Sequence, residues 1–231
     1  MLNEIILIMF YVIILIYSVI IHEVAHGIGA LMLGDATAKY AGRLTANPMK
    51  HIDPWMTIGM PLLMLFLTAG RFAFGGAKPV PYNPYNLRNQ KWGPTFVALA
   101  GPFSNILIAI IFAIAGRLIN IPLSIKKDII FNFNNWQKIS EVIAGSFGSI
   151  FFELCVITIF WNVLLAFFNL IPIPPLDGSK FLFSIFSLKM ETVAMLEQFG
   201  FIILFAFIIL FSGPLGIFLN LMINLFLGIT I

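Results

Sequence analysis

Long apolar runs alternate with short polar stretches along the chain. The first run, 2–33, ends at Gly34-Asp35, a helix stop signal, and the later runs cover 94–119, 142–170 and 199–231. Each reaches or exceeds the roughly 20 residues that a helix needs to cross a hydrocarbon core. A further run, 56–69, is shorter and is bounded by Asp53-Pro54 and Gly70-Arg71, so it is either a short span or a re-entrant segment. The last run is interrupted by Ser212-Gly213-Pro214 and predicts one kinked helix or a tight pair. Between these runs, 36–54 is polar, with Arg43-Leu44-Thr45 expected to be extended. Residues 74–92 are rich in Gly, Pro and Asn and suit an extended interfacial loop, 122–140 are polar and interfacial, and 180–198 are mildly amphipathic. The pattern predicts an all-α polytopic membrane protein, one integral-membrane domain over 1–231. The expected bundle has about five to six transmembrane helices, with a short extended or re-entrant region after the first.

Composition strengthens this reading. Hydrophobic residues make up 60% of the chain and charged residues 10%, with a mean hydropathy of +1.01. That excludes an ordinary soluble domain. The net charge of +3 comes from lysines and arginines in the loops, an orientation signal rather than a nucleic-acid footprint. The loops after the first three apolar runs all carry several such residues, so the charge bias leaves the orientation open. Cys155 is the single cysteine, which rules out a disulfide framework and a cysteine zinc cluster. The N-terminal run lacks a basic start and is too long for a signal peptide, so it is expected to be a retained span. No internal repeat of the transporter kind is present.

The chemistry begins at His22-Glu23-Val24-Ala25-His26, deep in the first apolar run. An ionisable side chain at membrane depth costs roughly 2.5 kcal/mol or more, so three within five residues imply a use. On a helix His22 and His26 share one face, one turn apart, where two imidazole nitrogens reach one zinc ion. Glu23 points sideways and can take a proton from a zinc-bound water. The bland alternative is a set of interhelical hydrogen bonds. A third protein ligand is needed. His51 sits in a polar loop beside Asp53-Pro54, and most carboxylates lie at segment ends or in loops. Glu153 is inside an apolar segment but near its start, within reach of an interface. Asp177 ends Asn169-Leu170-Ile171-Pro172-Ile173-Pro174-Pro175-Leu176-Asp177-Gly178, where three prolines forbid a regular helix and Gly178 permits a sharp turn. Such an unwound segment is tolerated at depth only inside protein or around a water-filled cavity. It can place a carboxylate on the metal.

The His22–His26 motif, Gly101-Pro102-Phe103-Ser104-Asn105, and Asn169 through Gly178 together resemble the site-2 protease family of zinc metalloproteases that cleave within the membrane. The motifs cover the three central helices of that fold in the expected order. Gly42-Arg43-Leu44-Thr45-Ala46-Asn47-Pro48 with His51-Ile52-Asp53-Pro54, and Phe74-Gly75-Gly76-Ala77-Lys78-Pro79-Val80-Pro81, look like its compact prokaryotic branch. Gly76 stands where a tryptophan is common, and no stretch suits an appended PDZ or CBS domain. The resemblance implies one zinc per chain held by His22, His26 and Asp177, with Glu23 as general base. It also implies Asn105 beside the scissile peptide, steadying the oxyanion or holding substrate, and Asn169 as a second amide at the edge of the site. Asn162, on the same helix face as Asn169, is expected only to pack or to support the site indirectly. The implied partners are membrane proteins with transmembrane segments and the lipid bilayer, with no nucleic acid, and the implied location is a prokaryotic cell membrane. A helical substrate has to unwind before attack, and the extended regions near Arg43 and Val80 can receive it by edge pairing. Two other classes compete: a catalytically silent relative that binds membrane helices, and a metal or ion transporter. The intact Glu23 speaks against the first, and ionisable residues that converge on one point speak against the second.

Overall fold

The computed structural model describes residues 2–67, 69–70, 75–143 and 146–231. Thr68, Arg71, Phe74, Ala144 and Gly145, which fall in or beside segments named above, lie outside the described residues. The helices are α1 (Leu2–Met32), α2 (Thr37–Tyr40), α3 (Met60–Leu67), α4 (Gly93–Leu118), α5 (Leu123–Asn132), α6 (Trp136–Ile143), α7 (Phe147–Asn169), α8 (Gly178–Ile185), α9 (Met190–Gln198) and α10 (Gly200–Gly228). Four of these, α1, α4, α7 and α10, are long and apolar enough to cross a membrane. A wide π-type turn, Pro54–Gly59, capped by the Asp53 carboxylate on the N–H groups of Trp55 and Met56, runs into α3. Together they span about 21 Å at 1.5 Å per residue, short of a roughly 30 Å core. This short apolar element is the one expected as a short span or a re-entrant segment. No strand occurs among the described residues, so Arg43-Leu44-Thr45 forms a bent connection.

Helix ends follow local chemistry. Gly34 takes φ +109° just past α1, its N–H bonds Leu31 O at 3.1 Å, and Asp35 N–H bonds Ala30 O at 2.9 Å. This is a glycine stop that satisfies two carbonyls of the last turn. Ser146 caps α7 through Ser149 N–H. In α10, Phe211 leaves helical geometry three residues before Pro214, so the last run is one kinked helix rather than a tight pair. The proline has no N–H to give and its ring crowds the preceding turn.

The centre of the bundle is the α4–α7 contact, with α1 packed on α4. Ala109 and Ala113 are fully buried and let α4 approach Phe152, Val156 and Val163 of α7 closely. In contrast, α10 leaves Ile202, Leu210 and Ile217 about three-quarters exposed, apolar surface suited to a lipid environment. Glu153 is buried in this core beside the Tyr11 hydroxyl at 3.4 Å, away from any interface. Lys126, in the stretch expected to be interfacial, is also buried. Its ammonium donates to Gly116 O, Arg117 O and Thr230 O at 3.0–3.2 Å, closing the C-terminal ends of α4 and α10.

Asp35 joins α1 to the loop that follows α3. Its fully buried carboxylate accepts from Thr37 N–H and hydroxyl, Asn83 N–H and the Asn86 amide. Burial pushes the carboxyl up, but the hydrogen bonds from Thr37, Asn86 and Asn83 outweigh it and hold the group below its ordinary value. A depressed folded-state pKa contributes stability above the unfolded value, near 3.9, and loses it as pH falls through the folded value. D35N is expected to cost about 1.5–3 kcal/mol at neutral pH. Thermal unfolding in detergent across the acid range should show a steep loss for the wild type below about pH 4 and a flatter one for D35N.

Candidate metal centre

Three elements deliver the site. Helix α1 carries His22 and His26 one turn apart, their rings 4.6 Å between centroids and perpendicular. The turn after α7, residues 170–176, delivers Asp177 to the start of α8. That turn closes on Ile173 N–H to Ile171 O at 2.8 Å and Leu176 N–H to Ile173 O at 2.9 Å. Gly178 is required there, because a Cβ would sit 2.6 Å from Ile171 O. Helix α4 passes both histidines, with Gly101 against their Nε2 atoms and Asn105 behind His22 at Nδ1.

The hydrogen bonds behind the rings set what the rings present in front. Asn105 Nδ2 donates to Asn162 Oδ1 at 2.7 Å and to Ser18 O at 3.2 Å, so the atom 2.5 Å from His22 Nδ1 is the Asn105 oxygen, an acceptor. Asn162 is fixed in turn by donation to Thr158 O and Ser18 Oγ, both at 2.9 Å. His26 Nδ1 donates to Val97 O at 2.8 Å. With Nδ1 of each ring held by a fixed acceptor, Nε2 is the atom that each ring turns to the site.

Those atoms face a carboxylate. His22 Nε2 and His26 Nε2 lie 3.1 Å and 3.4 Å from Asp177 Oδ2. Two imidazole nitrogens and a carboxylate oxygen converging at this distance pair with one another through a shared proton and also form a donor set that a cation can join. The spacing suits zinc: tetrahedral ligands at about 2.0–2.1 Å stand about 3.3 Å apart. Gly101 leaves the room, since a Cβ there would lie 2.7 Å from His22 Nε2 and closer still to the His26 ring. The residues therefore fit a zinc ion.

The structure brings together His22, His26 and Asp177, with Glu23 next to the first ligand. Glu23 Oε2 accepts from Val80 N–H at 2.9 Å. Asn105 is in the site, but at the back of His22, with both ends of its amide engaged inside the bundle. Asn169 turns back on its own helix, donating to Leu165 O at 2.9 Å, and no hydrogen bond joins it to the triad. His51 is buried in the loop and bonds Thr45 O, outside the triad. Ser18 and Val97 were not legible as site residues. Ser18 precedes His22 by one helical turn, the one signal available, and Val97 contributes only a backbone oxygen.

Because Gly101 borders the space between the ligands, G101A should retain less than about a tenth of the wild-type zinc. Metal analysis of purified protein, with circular dichroism to confirm the helical bundle, checks this outcome.

Residues 10–211 match the family model "Peptidase family M50". The chain is 34% identical over 210 residues to "Putative zinc metalloprotease YwhC" of Bacillus subtilis, covering 90% of this chain and 82% of that protein. It is 27% identical over 161 residues to "Putative zinc metalloprotease Rip2" of Mycobacterium tuberculosis, covering 70% of this chain and 51% of that protein. With Rip2 of Mycolicibacterium smegmatis it shares 32% identity over 94 residues, 41% of this chain and 34% of the relative. No solved structure matches the chain. A multi-pass helical bundle, a His22–His26–Asp177 cluster that fits a metal ion beside a glutamate, and a family match across most of the length agree: the chain belongs to peptidase family M50, the site-2 type of zinc metalloprotease.

Proposed function

We propose that this protein is an intramembrane endopeptidase with one zinc per chain, seated in a prokaryotic cell membrane, that hydrolyses peptide bonds within or near the transmembrane segments of membrane proteins. The observation that supports it best is depth. His22 lies ten residues before the end of α1 at Met32, about 15 Å along the axis and half of a roughly 30 Å core. A hydrolytic site at that level meets transmembrane peptide bonds.

When bound, zinc lowers the pKa of its water towards 7 and polarises the scissile carbonyl. The chain's own residues do the rest. Glu23 takes the proton from the attacking water and returns it to the departing amine, leaving a new carboxyl and a new amino terminus. Asn105 is a positioning residue that acts through His22, holding the proton on Nδ1 and Nε2 free. Asn169 closes the last turn of α7 ahead of the segment that carries Asp177. Partial burial of His26 and Asp177 leaves the site reachable.

E23Q should lower cleavage of a co-expressed single-span membrane protein by about 10²–10⁴-fold while largely keeping its zinc. H22A, H26A and D177A should lose both metal and cleavage. Immunoblots for uncleaved substrate and metal analysis measure the two quantities. Cleavage that persists in E23Q, or purified wild type without zinc, would overturn the reading. A silent helix-binding relative would accumulate no Glu23-dependent product.

A further inference from the structure

The loop between α3 and α4 does more than connect them. Residues 75–83 form neither helix, strand nor turn, and Val80 meets α1 at Glu23 and Gly27. The fit on α1 is close: a Cβ at Gly27 would lie 2.6 Å from Leu44 Cδ2 and 2.9 Å from Val80 Cγ1. Val80 N–H donates to Glu23 Oε2 at 2.9 Å, and prolines on either side of Val80 stiffen the backbone that offers this donor.

Two residues back, Lys78 is held through both of its backbone groups. Its N–H donates to His51 O at 2.8 Å, and its carbonyl accepts from Arg43 Nη2 at 2.6 Å. His51 is itself fixed by Nε2 on Thr45 O at 2.8 Å. Gly76 is held similarly, by N–H to Met56 O at 3.0 Å and by its carbonyl on the Thr57 hydroxyl at 2.8 Å. Arg43 is only 7% exposed, and its Nε has no hydrogen-bond partner among the described residues. A guanidinium buried on such terms is costly, so its short bond to Lys78 O is the contact that gives its burial a purpose.

We propose that segment 76–80 is a clamp for the general base. Val80 N–H holds Oε2 of Glu23, leaving Oε1 to face the attacking water, and Arg43 and His51 are positioning residues that set the clamp through Lys78. The physical need is specific. The last torsion of a glutamate is broad, so a carboxylate held only by its own stem has no fixed plane. A charge-assisted bond from a backbone donor fixes that plane, because the donor cannot rotate away. Misplacing a catalytic group by about 1 Å can cost on the order of 10²-fold. The clamp rests on the reading of Glu23 as general base.

The test uses the full chain in detergent and a single-span reporter that the wild type cleaves in a Glu23-dependent way. V80A keeps the N–H and loses part of the packing on Gly27, whereas V80P also removes the N–H. V80P should show a kcat at least tenfold below V80A, with KM within about twofold and equal zinc content. R43A should lower kcat similarly at unchanged KM and zinc, and R43K, which can still donate to Lys78 O, should recover most of it. A purely structural role would instead lower zinc content and raise KM together. Equal kcat for V80P and V80A, or an R43A defect that R43K does not relieve, overturns the clamp and leaves the protease reading intact. If V80P does not fold, the Arg43 pair decides. Absence of any Glu23-dependent product in the wild type overturns the protease reading itself, and the clamp with it.

Discussion

The convergence of His22 Nε2, His26 Nε2 and Asp177 Oδ2 on one point is the constraint on which the rest of this molecule depends. Each histidine is fixed from behind, one by a side-chain amide and one by a backbone carbonyl, so each turns Nε2 to the same carboxylate oxygen. Such a cluster inside an apolar bundle is costly unless its charges are paired with one another or shared with a cation. Everything nearby is arranged to keep the three atoms in place: the missing side chain at Gly101, the sharp exit from α7, and the buried amides of Asn105 and Asn162.

The back and the front of the site are built differently. Behind the ligands, Ser18, Asn105, Asn162 and Thr158 tie α1, α4 and α7 into one hydrogen-bonded layer. These helices pack through small residues, so their amides sit within fixed reach of one another. In front, Glu23 meets a loop backbone rather than a neighbouring helix. On the proposed reading, that division separates metal binding, which needs rigidity, from the general base, which has to sit where substrate and water enter. The periphery follows the same order of rigidity. Helix α10 is kinked at Phe211 and mostly faces outward, while its first residue, Gly200, lies flush against the Pro174-Pro175 backbone of the Asp177 turn.

Reading the chain as a string of residues works well where the physics is local. The bilayer demands long apolar helices, and α1, α4, α7 and α10 match the runs that announce them. The four-residue spacing of His22 and His26 places both on one face, and the prolines before Asp177 rule out a helix there. Gly34 stops α1 where expected. Local reasoning fails for groups whose partners are remote in sequence. Lys126 reads as an interfacial lysine, but it is buried by carbonyls at the ends of two helices, one of them 104 residues away. Glu153 reads as close to an interface, but Tyr11 of another helix encloses it in the core.

The sequence by itself determined the class of molecule, the His-Glu-His cluster on one helix, and the need for an unwound segment, because periodicity, proline and the cost of charge in lipid act on neighbouring residues. Only the tertiary structure decided which side of Asn105 faces which partner, that Val80 N–H meets Glu23, and that His51 and Arg43 hold Lys78. Those contacts join residues from 27 to 87 positions apart. Nothing local encodes a hydrogen bond across such a gap. It exists because helix packing brings the backbones into register, and the opening HExxH motif becomes a working site only within that register.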